Sequence, residues 1–433
     1  MAQIKPVRAW RYNTGLTANI EALTSPLFDV VSDNQRRTLY QNPNNSIHLS
    51  VPQGENPAVS AAKRLQEWKQ FGIIKQDALP GIYVYYQYFS LPGSSREYCR
   101  KGFICHIEAY DWSEKVVLRH ENTIPGAVND RVALLEQTLL HVSPTHGLYA
   151  DPELELEAYM DESMRNPLYE TEDYQGVRDV LSVIHDYNVI QKFLQKLEGQ
   201  QIILADGHHR YESSLIYRKK QIAGNHAHTG EEAYNFHLMF LTNTESDDLV
   251  ILPTHRLVKG LPNWQPEVML QKLEQFFTIK IIENPYDVQD IIAGKPWAFG
   301  VILKDGAYKI RLKPEVFPTL SWQFPEEVKR LDLTVLHYFV IDKILGIPGK
   351  EQRKSEHLAF SRNFAECQAK VMTGDIQMAL ITNSVSMEEV KQVCATGFTM
   401  PQKSTFFYPK TICGFLFSSI QPDEFATPYY PSL

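Results

Sequence analysis

From about residue 178 the chain alternates segments that read as strand and as helix. They are DVLSVI, YNVIQKFLQKLEG ending at Gly199, QQIILADG, RYESSLIYRKK and FHLMFLT. Short apolar runs bounded by turn residues, separated by stretches of helical period, confine this part of the chain to α/β order. The flanks follow another pattern. Ahead of it lie a helix over 58–71 with Ala61, Leu65, Trp68 and Phe71 at helical spacing, strands over 81–89 and 102–110 joined across LPGSSREYCRK, and a helix over 129–142. Behind it, KGLPNWQP at 259–266 marks a boundary. The helix PEVMLQKLEQFF follows, then a hairpin about Asp305-Gly306, a long helix through LDLTVLHYFVIDKIL and the strand IQMALIT. A Ser386-x-x-Glu389 capping box opens another helix and CGFLFSSI closes as a strand. The fold expected is α/β and α+β mixed: an N-terminal α+β region over 1–175, a core over 176–262 and a C-terminal α+β domain over 263–433.

A chain of 433 residues is long enough for two or three cores. Its formal charge of -8 has the wrong sign for affinity built on neutralising a nucleic acid, so no nucleic-acid partner is expected. The N-terminal MAQIKPVRAWRYN has no apolar signal region, and no run approaches the roughly 20 apolar residues that span a bilayer. No membrane partner and a cytoplasmic location are the expectations. Five cysteines without a C-x-x-C pair read as buried free thiols in a reducing compartment. Walker A, G-x-G-x-x-G and G-x-S-x-G patterns are absent from the sequence.

Chemistry concentrates where QIILADG runs into HHRYESS. A strand-glycine-helix turn offers unpaired amides and the positive end of the helix dipole, which together suit a phosphate. Gly207 admits close backbone approach, Arg210 supplies a planar cation, and His208 and His209 supply donors that titrate near neutrality. Asp206, at the strand's carboxyl edge, is placed to accept a proton or hold magnesium. The bland alternative is that Asp206 caps the helix and the histidines serve the backbone. Eleven of the 14 histidines lie between His106 and His255, so a divalent ion among His208, His209, His120 and His255 with Asp206 or Glu121 is a second reading, on unspecific spacing.

Three further stretches carry candidates. VVLRHENTIPGAVNDR holds His120, Glu121, Thr123 and Arg131, where a carboxylate beside a histidine suits a general base. ILPTHRLV sets His255 and Arg256 between apolar residues, directly after a strand. TMPQKSTFFYPKTICGF supplies Lys403, Ser404 and Lys410 among aromatics, suited to a phosphorylated or carboxylated ligand or, equally, to a lysine-guarded edge strand.

The segments SPLFDVVSD, NPNNSIHL, HENTIPG, ADGHHRYESSL, LPTHRLV and MPQKSTFFYPK together resemble the bacterial family designated domain of unknown function ten-fifteen, over nearly the whole chain. That label carries no established reaction. More distantly, DGHHR followed by a helix is similar to the phosphate-holding segment of the ParB and sulfiredoxin superfamily, which includes free-serine kinases. This one short likeness implies a ParB/sulfiredoxin-like nucleotide-binding core over 176–262, in which Gly207, His208, His209 and Arg210 hold nucleotide phosphates. It further implies that Asp206 sits at the reacting hydroxyl with Glu121 as base. Sulfiredoxin's cysteine has no counterpart here, which sets sulfinic-acid repair aside. The expectation is a phosphotransferase on a small hydroxylated metabolite, free serine or phosphoserine preferred, in either direction. Magnesium and ATP, ADP or pyrophosphate would be its cofactors. Asp206, Glu121 and His209 would be catalytic; Gly207, His208, Arg210, His255 and Arg256 would hold phosphates; His120, Thr123, Arg131, Lys403, Ser404 and Lys410 would meet the substrate. A metal-dependent phosphatase using the histidines and a nucleotide-sensing regulator without turnover stand beside it. The sequence leaves the oligomeric state open.

Overall fold

The computed structural model describes residues 2–173 and 175–425, so the last residues of the expected C-terminal region, 426–433, lie outside it. The chain divides into two compact units, one of Met1–Arg119, Thr123–Val250 and Pro409–Leu433, the other of His120–Asn122 and Ile251–Tyr408.

The first unit is built on a nine-stranded sheet. In chain order its strands are β1 (Ile4–Lys5), β2 (Ile82–Ser90), β3 (Glu97–Glu108), β4 (Val117–Arg119), β5 (Thr145–Tyr149), β6 (Tyr169–Glu172), β7 (Arg178–Ile184), β8 (Ile202–Asp206) and β9 (Phe236–Asn243). They lie in the order β6-β7-β2-β3-β9-β5-β8-β4, with β1 also on β3. Strand-helix alternation suggests neighbouring parallel strands, yet among the described residues only β8 with β4 and β9 with β5 pair in parallel. The reason is the order: β7 and β8 are far apart in the sheet, and β5 separates β8 from β9.

Both faces of the sheet are covered, so its strands read as nearly continuous apolar runs. Alternate residues still go to opposite sides. Ile82, Val84 and Tyr86 of β2 enter one core, with Phe193 of α3 (Tyr187–Leu197) and Tyr211 and Leu215 of α4 (His208–Gly224). Tyr83 and Tyr85 enter the other, with Leu65 and Trp68 of α1 (Pro57–Gln70) and Leu134 of α2 (Pro125–Thr138).

The second unit has a six-stranded sheet. Its strands are β10 (His255–Val258), β11 (Phe277–Ile282), β12 (Ala298–Leu303), β13 (Gly306–Leu312), β14 (Leu358–Ser361) and β15 (Met378–Ile381), in the order β11-β13-β12-β15-β10-β14. The β12–β13 hairpin and the Ser386–Glu389 capping box form as the sequence indicates. Three expectations change. His255 and Arg256 sit within a strand rather than after one. The long helix is a short α-turn, Asp332–Val335, running into a π-helix over Leu336–Ile344. The closing CGFLFSSI strand is reduced to two-residue pairings at Ile412–Cys413 and Ser418–Ser419. All five cysteines are unpaired, four of them buried and Cys99 half-buried. No described helix is long and apolar enough to cross a membrane.

Candidate functional site

β8 ends at Asp206 and α4 starts at His208, with Gly207 between them at φ 88°. That left-handed conformation favours glycine, and there is a second reason for it here. A Cβ on Gly207 would lie 2.6 Å from Thr145 Cγ2 and 2.9 Å from Arg210 Nη2. Gly207 brings no side chain to cap the 17-residue α4, and the positive end of the helix dipole there favours negative charge.

Asp206 does not cap the helix; it binds two cations. Arg210 Nη2 donates to Asp206 Oδ2 at 3.0 Å, and Lys410 Nζ donates to Oδ1 from 204 residues away. Burial pushes the Asp206 pKa up, but Lys410 and then Arg210 overcome it and hold the carboxyl well below the usual carboxylate range. Arg210 is 9% exposed. Its Nη1 donates to Ser143 Oγ at 2.8 Å and to the Pro144 carbonyl at 2.6 Å, while Nε has no hydrogen-bond partner. A cavity of about 40 Å³ adjoins this guanidinium, bordered also by Arg131, Ser143 and His237. That is room on the order of a few waters or one small oxyanion.

The position of Lys410 is set by a ladder of polar residues that the sequence reading did not single out. Across three neighbouring strands Asp179 pairs with Gln87, and Gln87 with Arg100, so the three side chains share one face. Gln87 Nε2 donates to Asp179 Oδ1 at 2.8 Å and to the Lys410 carbonyl at 3.0 Å. Arg100 donates to Gln87 Oε1 and to the Pro409 carbonyl. The backbone at 409–410 is therefore tied to the sheet, and the lysine side chain is left to reach Asp206. The signal that was available is a charged residue at a strand position adjoining apolar ones: Arg100 in EYCRKGFICHIE and Asp179 in RDVLSVI.

Burial raises the Asp179 pKa to about 7, against the opposing hydrogen bonds of Tyr85 and Gln87. Between the unfolded value of ~3.9 and this one, the folded chain keeps a proton that the unfolded chain has released, so stability falls as pH rises through that window. Asp179→Asn keeps an acceptor for Tyr85 and Gln87 and removes the titration. Urea unfolding at pH 5 and pH 8 is expected to show the parent losing about 2 kcal/mol more than the variant over that interval; equal losses would contradict it.

His141 and His237 meet edge-on with ring centroids 4.8 Å apart, and the buried histidines nearby bond to hydroxyls. His146 Nε2 lies 2.7 Å from Thr242 Oγ1 and His237 lies 2.8 Å from Ser214 Oγ and 3.0 Å from Thr145 Oγ1. Burial lowers the pKa of His106 to about 3 and of His141 to about 4, leaving them neutral. Among the described residues no group of three His, Cys, Asp or Glu could hold a metal ion. Asp206 is also unfit to hold magnesium as it stands, because each of its oxygens already has a cation.

His208 is buried at the start of α4, and His209 is half-buried beside it. The Ile124 amide donates to His209 Nε2 at 3.0 Å, which assigns that nitrogen as an acceptor and the ring as neutral. Thr123 immediately precedes this amide, in the loop that starts α2. Arg131, on α2, donates to the Ser50 carbonyl at 2.7 Å and lies over the Phe28 ring.

The remaining predicted residues belong to the second unit. His120 Nε2 lies 2.7 Å from Thr405 Oγ1, and the His120 carbonyl accepts from the Met400 amide at 2.9 Å. Burial lowers the Arg256 pKa to about 9, opposed by the charge of Glu121. Arg256 is fully buried, donating to His337 Nε2 at 3.2 Å and to the carbonyls of Thr254, Gln402 and Lys403. His255 Nδ1 accepts from the Thr382 amide at 3.3 Å. Lys403 is exposed, and Ser404 donates to the Pro401 carbonyl.

A family model described as "Protein of unknown function (DUF1015)" matches residues 4–334. No curated protein matches the sequence. Among solved structures, a conserved hypothetical protein from Pyrococcus furiosus is similar at 14% identity and TM-score 0.36, covering 75% of this chain and 97% of its own. A free serine kinase in complex with AMP is similar at 13% identity and TM-score 0.37, covering 75% of this chain and 93% of its own. SbnI with a C-terminal truncation, from Staphylococcus aureus, is similar at 12% identity and TM-score 0.34, covering 73% and 87%.

Proposed function

The chain belongs to the DUF1015 family of proteins of unknown function, and for this member we propose a phosphotransferase whose phosphate-holding turn is Asp206–Arg210. The preferred substrate is a small hydroxylated metabolite such as free serine, or phosphoserine in reverse. One observation carries the reading: the surplus of buried positive charge at the turn. Arg100, Arg210 and Lys410 surround one firmly ionised carboxylate, Asp206, next to the start of α4. Asp179, with its pKa near 7, balances the surplus only in part. Buried charge of one sign calls for a counter-ion, and a phosphoryl group supplies it.

The arrangement also divides the roles. A carboxyl held so far below its usual range is a poor base, so Asp206 acts by fixing Arg210 and Lys410 in place. His209, neutral and half-buried, is the proton acceptor. In the forward direction the substrate hydroxyl oxygen bonds to the terminal phosphorus of a nucleotide or pyrophosphate and the phosphoanhydride P–O bond breaks. The remainder of the donor leaves, and the hydroxyl proton passes to His209 Nε2 as the Ile124 amide releases its hydrogen bond to that nitrogen. Lys410, the guanidinium of Arg210 and the first-turn amides face the charge that develops on the phosphoryl oxygens. No step is assigned to a magnesium ion held by these residues.

The test is phosphorus NMR of the purified protein, with magnesium in the buffer. Serine is mixed with ATP, ADP or pyrophosphate, and phosphoserine is run separately. A phosphomonoester signal growing from serine, or phosphoserine decaying, is expected, and Lys410→Met is expected to slow it by about a hundredfold or more. Unchanged spectra in every mixture would remove the assignment.

A further inference from the structure

The second unit contains a cavity of about 570 Å³, within the ~300–1,000 Å³ typical of small-molecule pockets. Its apolar walls are Trp322, Phe324 and Phe398, and its charged residues are Lys350 and Arg353. Among the described residues no carboxylate lines it. His337, which also borders it, is neutral because burial and Arg256 lower its pKa to about 3. The lining therefore combines aromatic surface with net positive charge.

The walls are held in place. Trp322 meets Phe324 edge-on at 5.8 Å and Tyr338 edge-on at 5.3 Å, and Phe324 meets Phe398 at 6.3 Å. Gly349 packs so closely on the indole that a Cβ there would lie 2.6 Å from Trp322 Cζ2. The residue before Lys350 thus needs to be glycine for the ring and the cation to adjoin each other. Arg353 is anchored by donating to the Asn122 carbonyl at 2.6 Å.

The floor is equally fixed. Gln352 is 4% exposed. Its Oε1 accepts from His337 Nδ1 at 2.8 Å, and its Nε2 donates to the carbonyls of His337 and Ile347 at 3.0 Å. Gln402 Nε2 donates to the Gln352 carbonyl at 3.1 Å. His337 and Tyr338 are themselves part of the π-helix, a strained element found frequently at functional sites. Against this surround, Phe398 stays 42% exposed and meets Phe324 edge-on.

We propose that this cavity binds a planar aromatic anion, its ring against Trp322, Phe324 and Phe398 and its anionic group on Lys350 and Arg353. Aromatic walls accept a flat ring by offset or edge packing, and two cations in a lining without a carboxylate favour a negative group on it. A nucleobase carrying a phosphate and an aryl carboxylate share this chemistry. The inference stands apart from the phosphotransfer reading, since every residue in it lies in the second unit.

The test is isothermal titration calorimetry of the full chain with two probes, AMP and 1-naphthoate, at low and high salt. Saturable binding of at least one probe at one site, weakened by salt, is expected. Lys350→Glu is expected to weaken it about tenfold or more, and Phe398→Ala about fivefold. Both positions are exposed, so both variants should fold, which thermal melting checks. Binding of AMP alone assigns the base-and-phosphate source, and binding of 1-naphthoate alone assigns the carboxylate source. No saturable binding of either probe at millimolar concentration would overturn the proposal. Binding that survives both substitutions, or AMP binding lost in Lys410→Met but kept in Lys350→Glu, would equally overturn it by placing the ligand elsewhere.

Discussion

Asp206→Asn is expected to lower the unfolding free energy by about 3–5 kcal/mol at neutral pH, because it leaves buried cations without their anion. Arg210 and Lys410 both pair with this carboxylate, their side chains 10% and 14% exposed. The asparagine is nearly the same size, so packing is preserved and the loss is electrostatic. Asp206→Asn/Lys410→Met should recover about 1 kcal/mol or more of that loss, since it also removes one orphaned cation. Urea unfolding of the three proteins checks both statements, and an asparagine variant as stable as the parent would show that the cations rely on another anion. Inorganic phosphate offers a further readout. An oxyanion that binds the folded state at this turn stabilises by mass action, so phosphate should raise the midpoint of the asparagine variant more than that of the parent. The pH dependence has a defined sign. The folded pKa of Asp206 is depressed, so its contribution is fully present above the unfolded value of ~3.9 and is lost as pH falls below it. Asp179 works in the other direction through the window up to about 7. The two carboxylates together predict a stability maximum on the mildly acidic side of neutrality.

Arg256→Met is expected to be as severe for the second unit, at about 3–5 kcal/mol, for a different reason. Its guanidinium serves three carbonyls and a histidine nitrogen inside the protein. Methionine fills part of the volume and satisfies none of these acceptors. The carbonyls of Gln402 and Lys403 would lose their tie to β10, and with them the segment that carries Gln402 to the floor of the aromatic cavity. Arg256→Lys should recover only a minor part, because an ammonium cannot span acceptors arranged around a planar fork. Hydrogen exchange localised to residues 251–258 and 399–405 distinguishes this from global unfolding. Unchanged protection there would contradict the role. The buried position of Arg256 and its four internal acceptors give it this structural task, which its place in ILPTHRLV did not reveal.

Much of the local structure is legible in the chain alone. Helices with capped or glycine-marked ends, such as Tyr187–Leu197 and Met387–Thr396, and the hairpin about Asp305-Gly306 follow from periodicity and turn chemistry, which act over a few residues. The turn from Asp206 through Gly207 into the helix at His208 is likewise local, because a left-handed residue between strand and helix leaves a recognisable glycine. Strand order was not legible: the same strand-helix alternation is compatible with neighbouring parallel strands or with the mixed sheet found, in which β5 is inserted between β8 and β9. Inserting a strand from a distant segment depends on packing of whole faces, which no short pattern encodes.

By itself, then, the sequence determined most of the elements and the presence of an acid, a glycine, two histidines and an arginine at one junction. Only the tertiary structure decided what those groups face. Lys410 reaches Asp206 because Asp179, Gln87 and Arg100 line up across three strands and hold the backbone at 409–410. Trp322, Lys350 and Phe398 border one cavity although they are spread over 77 residues of chain. Both follow from the same physics: charge and cavity energetics depend on distance in space, and the chain encodes that distance only through the packing of its complete core.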